Sequence, residues 1–420
     1  MNDLARRIQR TYLTLLLGNT LAASFIWGIN TIFLLDAGLS NLEAFAANAF
    51  FTAGMVLFEV PTGIVADTVG RRMSYLLGTV TLSASTLLYV LLWQLEAPFW
   101  QWAVVSLLLG LGFTFFSGAT EAWLVDALKF TGFKGNLESV FAKGQIVGGV
   151  AMLSGSVLGG LVAQWTNLGV PYLLRGLALA VTFVVAFVYM KDWGFVPKPG
   201  KHPAREMRQV LRSSVHFGLG NPPVRWMMLA APFTFGVGIY AFYAMQPYLL
   251  DLYGDEQAYS IAGLAAAIIA GAQIVGGMAA PRVRLLFRRR TSALLAGVLV
   301  EVALLALLGL TTAFWVAVGL LVLWGLSPAA MLPIRQAYMN GLIPSQQRAT
   351  VLSFDNLLGS SGGVVIQPAL GRAADVWSYA TSYLVGASVQ LLAVPFTVLA
   401  RRERAVADPV EFEPAQQPGG

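Results

Sequence analysis

Along the chain, long apolar stretches alternate with short polar ones at a spacing that suits membrane crossing. A helix needs about 20 apolar residues to span a bilayer. Runs of that length fall near 12–35, 44–66, 73–95, 99–126, 140–165 and 171–190. A second set follows near 226–250, 258–280, 291–311, 313–337, 350–374 and 379–400. The pattern predicts an all-α polytopic membrane protein with twelve transmembrane helices in two six-helix halves. Residues 1–190 form the first half, 191–223 a polar linker, 224–403 the second half, and 404–420 a polar, Pro/Gly-rich tail expected to be disordered. In the linker, Met207, Val210, Leu211 and Val215 recur at helical spacing opposite Arg205, Arg208 and Arg212. That arrangement suits an amphipathic helix lying on a membrane surface.

Charge orients the spans. With the N-terminus inside, Arg71, Arg72, Lys129, Lys134, the linker, Arg282 to Arg290, Arg348 and Arg401, Arg402 and Arg404 all fall on the cytoplasmic side. Asp36, Glu43, Glu96, Asp251, Asp255 and Glu256 fall outside, joined by only two basic residues, Arg175 and Arg372. Trp93, Trp100, Trp102, Trp165 and Trp377 cluster at the outer helix ends as an aromatic belt does. The expected location is the plasma (inner) membrane, with both termini cytoplasmic. The two halves also echo one another. RRMSYLLG at Arg71–Gly78 returns as RRTSALLA at Arg289–Ala296, and the spacing of Gly159 to Trp165 returns in Gly371 to Trp377. Parallel repeats of this kind place a substrate site at their interface near the bilayer midplane.

Composition agrees. Hydrophobic residues make up 57% of the chain and charged ones only 11%, where a water-facing protein needs roughly 25%. Lipid is therefore the main solvent and partner. The net charge of +6 lies between apolar runs rather than in a patch, so it sets topology and does not bind nucleic acid. There is no cysteine, which excludes disulfides, thiolate metal sites and a Cys nucleophile. The two histidines, His202 and His216, share one polar stretch, too few and too peripheral for an imidazole metal site. No metal and no cofactor are expected.

The most specific motif is EVPTGIVADTVGRR, Glu59 to Arg72, at the end of the second span. Glu59, Gly63 and Asp67 share one helical face, with Arg71 one turn further on. Gly63 and Ala66 permit close helix approach. Here the chain resembles the major facilitator superfamily, whose signature between helices 2 and 3 is supplied by Gly63, Asp67, Gly70, Arg71 and Arg72. The resemblance covers nearly the whole chain. It implies a conformational latch in which Asp126, at the end of the fourth span, completes an Asp67–Arg71–Asp126 relay and Asp355 joins from the eleventh. The fifth span, with Gly148, Gly149, Gly155, Gly159 and Gly160, resembles the glycine pattern of the drug/proton antiporter branch, with Ser156 where that pattern has proline. The same glycines also describe a generic small-residue packing face. The branch's helix-4 arginine would fall near Ser106, and that span carries no Arg or Lys.

Ionisable residues at membrane depth cost about 3 kcal/mol each unless paired or solvated. Glu59, Glu121, Lys143, Glu301, Arg335 and Asp355 stand there. Glu121 is either a proton-coupling acid or a structural partner of Lys143, and Glu59 is a second proton-coupling candidate nearer the latch. The resemblance implies a cavity lined by the first, fourth, seventh and tenth helices, with Asn30, Phe235, Tyr240, Tyr243, Gln246, Trp324 and Gln336 as candidates beside Glu121. The functional expectation is a secondary active transporter, monomeric and not an enzyme, coupling protons to efflux of a hydrophobic or amphipathic organic substrate. The alternative is a symporter or facilitator importing a small metabolite.

Overall fold

The computed structural model describes residues 3–197, 212, 215–345 and 347–410. Among the described residues, ten helices are long and apolar enough to cross a membrane, and eleven if the pair Asp3–Trp27 and Asn30–Asp36, bent by 49°, is one span. The further long helix Arg348–Val376 has 29 residues, ample length for a crossing at about 1.5 Å per residue. Arg348, Asp355, Arg372 and Asp375 lower its apolarity. With it the spans number twelve. The bent pair is the first, followed by Asn41–Thr68, Arg71–Gln94, Phe99–Phe130, Leu137–Trp165 and Gly169–Tyr189. The seventh to twelfth are Pro222–Tyr253, Tyr259–Leu285, Arg290–Leu310, Phe314–Leu342, Arg348–Val376 and Tyr379–Arg402.

Local chemistry sets the ends and breaks. The second span opens on a capping box, Ser40 accepting from the Glu43 N–H while Glu43 accepts from Ser40. The fourth span is interrupted after Thr114 and resumes at Ala119. Gly118 there takes φ of +65°, a left-handed conformation that only glycine adopts cheaply.

The chain forms two compact units. Met1–Arg208, Ile239–Ile268 and Gly363–Tyr379 make the first; Gln209–Gly238, Ile269–Gly362 and Ala380–Gly420 make the second. One boundary falls at 208/209, within the expected linker, and others cut through spans seven, eight and eleven. The first unit packs span 1 along spans 5 and 6, span 2 along span 4, and span 3 along span 6. Its core holds Phe33, Tyr75, Trp102, Trp123 and Tyr172, all nearly inaccessible. In the second unit span 9 packs on spans 10 and 12, around Met228, Tyr338 and Val351.

The tail departs from the expected disorder at its start. Asp408 is buried and accepts hydrogen bonds from the Thr291 N–H and hydroxyl at 2.8 and 2.9 Å. Arg290 N–H donates to the Asp408 carbonyl, and Val410 N–H donates to that of Arg288. A free backbone N–H group at the start of span 9 has found its acceptor in the following chain. Residues 411–420 lie outside the described residues, as do Arg205, Met207, Arg208, Val210 and Leu211 of the expected linker helix.

Candidate functional site

The bend in span 1 is the starting point. Between Trp27 and Asn30 the helix is interrupted, which leaves backbone groups without intrahelical partners. Gln246 of span 7 supplies both missing bonds: its Oε1 accepts from Thr31 N–H and its Nε2 donates to the Trp27 carbonyl, each at 2.9 Å. The bend also turns Asn30 inward. Tyr172 of span 6 donates to Asn30 Oδ1, and Asn30 Nδ2 donates to Asn48 Oδ1 of span 2, both at 3.0 Å. Asn48 Nδ2 is buried without a partner.

Close glycine contacts bring the segments of this unit together. A Cβ on Gly28 or on Gly160 would stand 2.9 Å from the Gly263 Cα, so spans 1, 5 and 8 meet through three glycines. Gly155 lies against Ser24 and Gly159 against the Phe25 backbone. Asp375 of span 11 accepts from the N–H groups of Asn41 and Leu42 at 2.9 and 2.8 Å, an anionic cap on span 2. Tyr240 is buried against Phe45, with ring centroids 4.6 Å apart.

At the other end of span 2, Asp67 pairs with Arg71 at 2.6 Å, while Gly63 has open space around it. Among the described residues no ion pair joins Arg71 to Asp126. A different acid serves the third span: Asp192, just past span 6, accepts from the Arg72 N–H at 2.9 Å and lies against Gly70, whose φ is +132°. Burial raises the Asp192 carboxyl above its ordinary range, partly offset by the Arg72 N–H and the charges of Arg72 and Arg71. Phe195 lies under the Arg71 guanidinium, and Arg72 donates to the Phe187 carbonyl. Asp192 was not singled out in the sequence, yet Asp408 takes the same role on span 9, and each acid follows the last helix of its half.

In the second unit Asp355, nearly inaccessible, accepts from both Arg335 amino groups at 2.7 and 2.6 Å. Glu301 is buried and bonded by Gln390 Nε2 at 2.6 Å and Ser327 Oγ at 3.3 Å, so its carboxyl has neutral hydrogen-bond donors. Of the cavity candidates there, Trp324 is buried, while Phe235 and Gln336 are exposed.

The break in span 4 opens a cavity of about 320 Å³ lined by Met55, Glu59, Phe113, Ser117 and Glu121 among others. Glu59 accepts from Ser117 at 2.6 Å. Glu121 lies in the first turn of the resumed helix, whose dipole favours a carboxylate. Among the described residues neither acid forms an ion pair, and Lys143 is not bonded to Glu121. Phe113 joins this cavity to a second cluster. The Arg175 guanidinium carbon stands 5.8 Å from its ring centroid, and the hydroxyls of Tyr172, Tyr89 and Tyr243 are its electrostatic neighbours. Tyr89 is bonded to Ser106 at 2.6 Å, so an arginine from span 6 stands close to where span 4 has none.

The family model described as Major Facilitator Superfamily matches residues 12–366. A comparison with curated protein sequences gives no match. Among solved structures, the nucleoside transporter NupG superposes with a TM-score of 0.78 at 11% identity, over 95% of this chain and 99% of that one. A bacterial homolog of the human lysosomal transporter Spinster, in its inward-facing and occupied conformation, gives 0.71 at 13% identity over 96% and 98%. A D-xylose-proton symporter gives 0.61 at 14% identity over 94% and 98%. At these identities the likeness is one of fold. The family match, together with the twelve helical crossings, places the chain in the major facilitator superfamily, as an integral membrane transporter of small molecules and not an enzyme.

Proposed function

We propose that the protein is a proton-coupled secondary transporter that exports an amphipathic organic compound by alternating access. The observation that carries this reading is the cavity at the break of span 4, which both Glu59 and Glu121 line and where, among the described residues, neither forms an ion pair. A carboxyl so placed takes up a proton from one side and releases it as the protein changes state. Glu121 is the coupling acid. Glu59, tied to Ser117, carries the protonation state toward Asp67 on its own helix. The Asp67–Arg71 pair, with Asp126 of the fourth span, is assigned to the conformational latch. Gly155, Gly159 and Gly160 of span 5 make close contacts with spans 1 and 8, which the generic packing reading of that glycine pattern requires equally.

A second reading, uptake of a polar metabolite, is favoured by the amide-rich cluster of Asn30, Asn48 and Gln246 and by the sugar, nucleoside and peptide transporters among the similar structures. Proteoliposomes with an imposed pH gradient separate the two. Export is supported when substrate moves against its gradient as protons move the other way, and co-directional movement selects uptake. In either direction Glu121→Gln abolishes accumulation while leaving exchange of substrate at equilibrium; full accumulation by that variant removes Glu121 from the mechanism.

A further inference from the structure

We infer that the transported compound carries an anionic group, and that Arg175 is the residue that receives it. This inference rests on the transporter reading and adds the charge of the substrate to it. Arg175 lies at the end of the second turn of span 6 and is 4% exposed. Its Nε is buried without a hydrogen-bond partner, and among the described residues its guanidinium makes no hydrogen bond or ion pair. Its electrostatic neighbours are three tyrosine hydroxyls and no carboxylate, with the Phe113 ring against one side. A buried cation normally recruits an acid, and Arg335 does so here with Asp355. Arg175 has been left without one.

A second unanswered donor belongs to the same cluster. Tyr172, an electrostatic neighbour of Arg175, bonds Asn30, and Asn30 in turn bonds Asn48, whose Nδ2 is buried without an acceptor. Arg175 thus offers a buried guanidinium with no acceptor beside Phe113, whose ring also lines the span-4 cavity, and the hydrogen-bonded chain from Tyr172 ends in a second buried donor without an acceptor. A planar carboxylate on an apolar body answers this guanidinium and its aromatic neighbour, since guanidinium binds carboxylate through paired hydrogen bonds. A cationic compound would meet repulsion there. Nothing about coupling direction enters, so a failure of proton coupling and a failure of anion recognition are separately visible.

The test is melting of the purified full chain in detergent, with no gradient present. The probes are benzoate, 1-naphthoate and 4-phenylbutyrate, each against its matched amine (benzylamine, 1-naphthylmethylamine and 4-phenylbutylamine). The expected result is a saturable rise in Tm with at least one carboxylate and with none of the amines. Arg175→Gln then weakens that carboxylate's apparent affinity at least tenfold, and its unliganded Tm stays level or rises, because an unpaired buried charge has been removed. Asn48→Asp, which replaces the free donor with a like charge, weakens binding similarly and decides the matter should Arg175→Gln fail to fold. The inference is overturned if no carboxylate gives a saturable rise, if an amine does, or if the carboxylate effect survives in the variant tested.

Discussion

A charge taken out of water must be answered locally, and this chain answers its embedded charges in different ways. Asp355 receives both arms of Arg335; Glu301 is given an amide and a hydroxyl; Arg175, among the described residues, has only aromatic rings and tyrosine hydroxyls about it and no acid. Removing one member of a buried pair leaves the other uncompensated, at about 3–5 kcal/mol. Asp355→Leu should therefore lower the melting temperature in detergent clearly, and Asp355→Leu combined with Arg335→Leu should recover most of the loss. Equal losses in the single and double variants would contradict that pairing energy. The acids were legible in the sequence because a carboxylate inside an apolar run stands out. Arg175 was read only as a charge toward the outer end of its span, since its distance from that end says nothing of which neighbours it meets. Asn48, one amide among alanines and phenylalanines, gave no signal at all.

Element ends carry the second lesson. The spans themselves were legible from apolar run length, although the bend at Gly28 and the break at Gly118 were not. The bend is bridged by Gln246, distant in sequence, and the break turns on Gly118, one glycine among many in the chain. The repeated RRMSYLLG and RRTSALLA segments pointed to equivalent helix starts, and the structure adds the acid that caps each, Asp192 or Asp408. These acids escaped notice because each follows its own half's sixth helix and reaches back to the third. Losing such a cap costs about 1 kcal/mol, so Asp192→Ala should speed hydrogen exchange at the start of span 3, and Asp192→Asn should do so less. Its pH dependence has a definite sign. A carboxyl raised in the folded state binds its proton more tightly there than in the unfolded chain. Between the ordinary value of 3.8 and its raised value, the docked segment should lose stability as pH rises. Asp192→Asn should flatten that slope; an unchanged slope would assign it to another group.

On the scale of the whole molecule, the first compact unit gathers six N-terminal spans with parts of spans 7, 8 and 11. Twelve spans in two halves were readable from the hydrophobic pattern; this grouping was not, because it depends on glycines that meet only when the chain is folded. Alternating access requires these contacts to part. Gly160→Leu cannot keep the approach to Gly263 and should hold that side open. The chain has no cysteine, so a single Asn48→Cys reporter is unambiguous. Its labelling by a membrane-impermeant maleimide should rise severalfold when Gly160→Leu is added, and an unchanged rate would mean that the glycine contact does not gate access.

The central claim is that an acid in the span-4 cavity exchanges a proton for substrate. Substrate-triggered proton movement in energised inside-out vesicles tests it most directly, comparing wild type with Glu121→Gln across amphipathic acids and amines. The account predicts proton efflux on addition of a substrate with wild type and none with Glu121→Gln. Transport of the same compound with no accompanying proton movement, or an equal signal from both proteins, would contradict it.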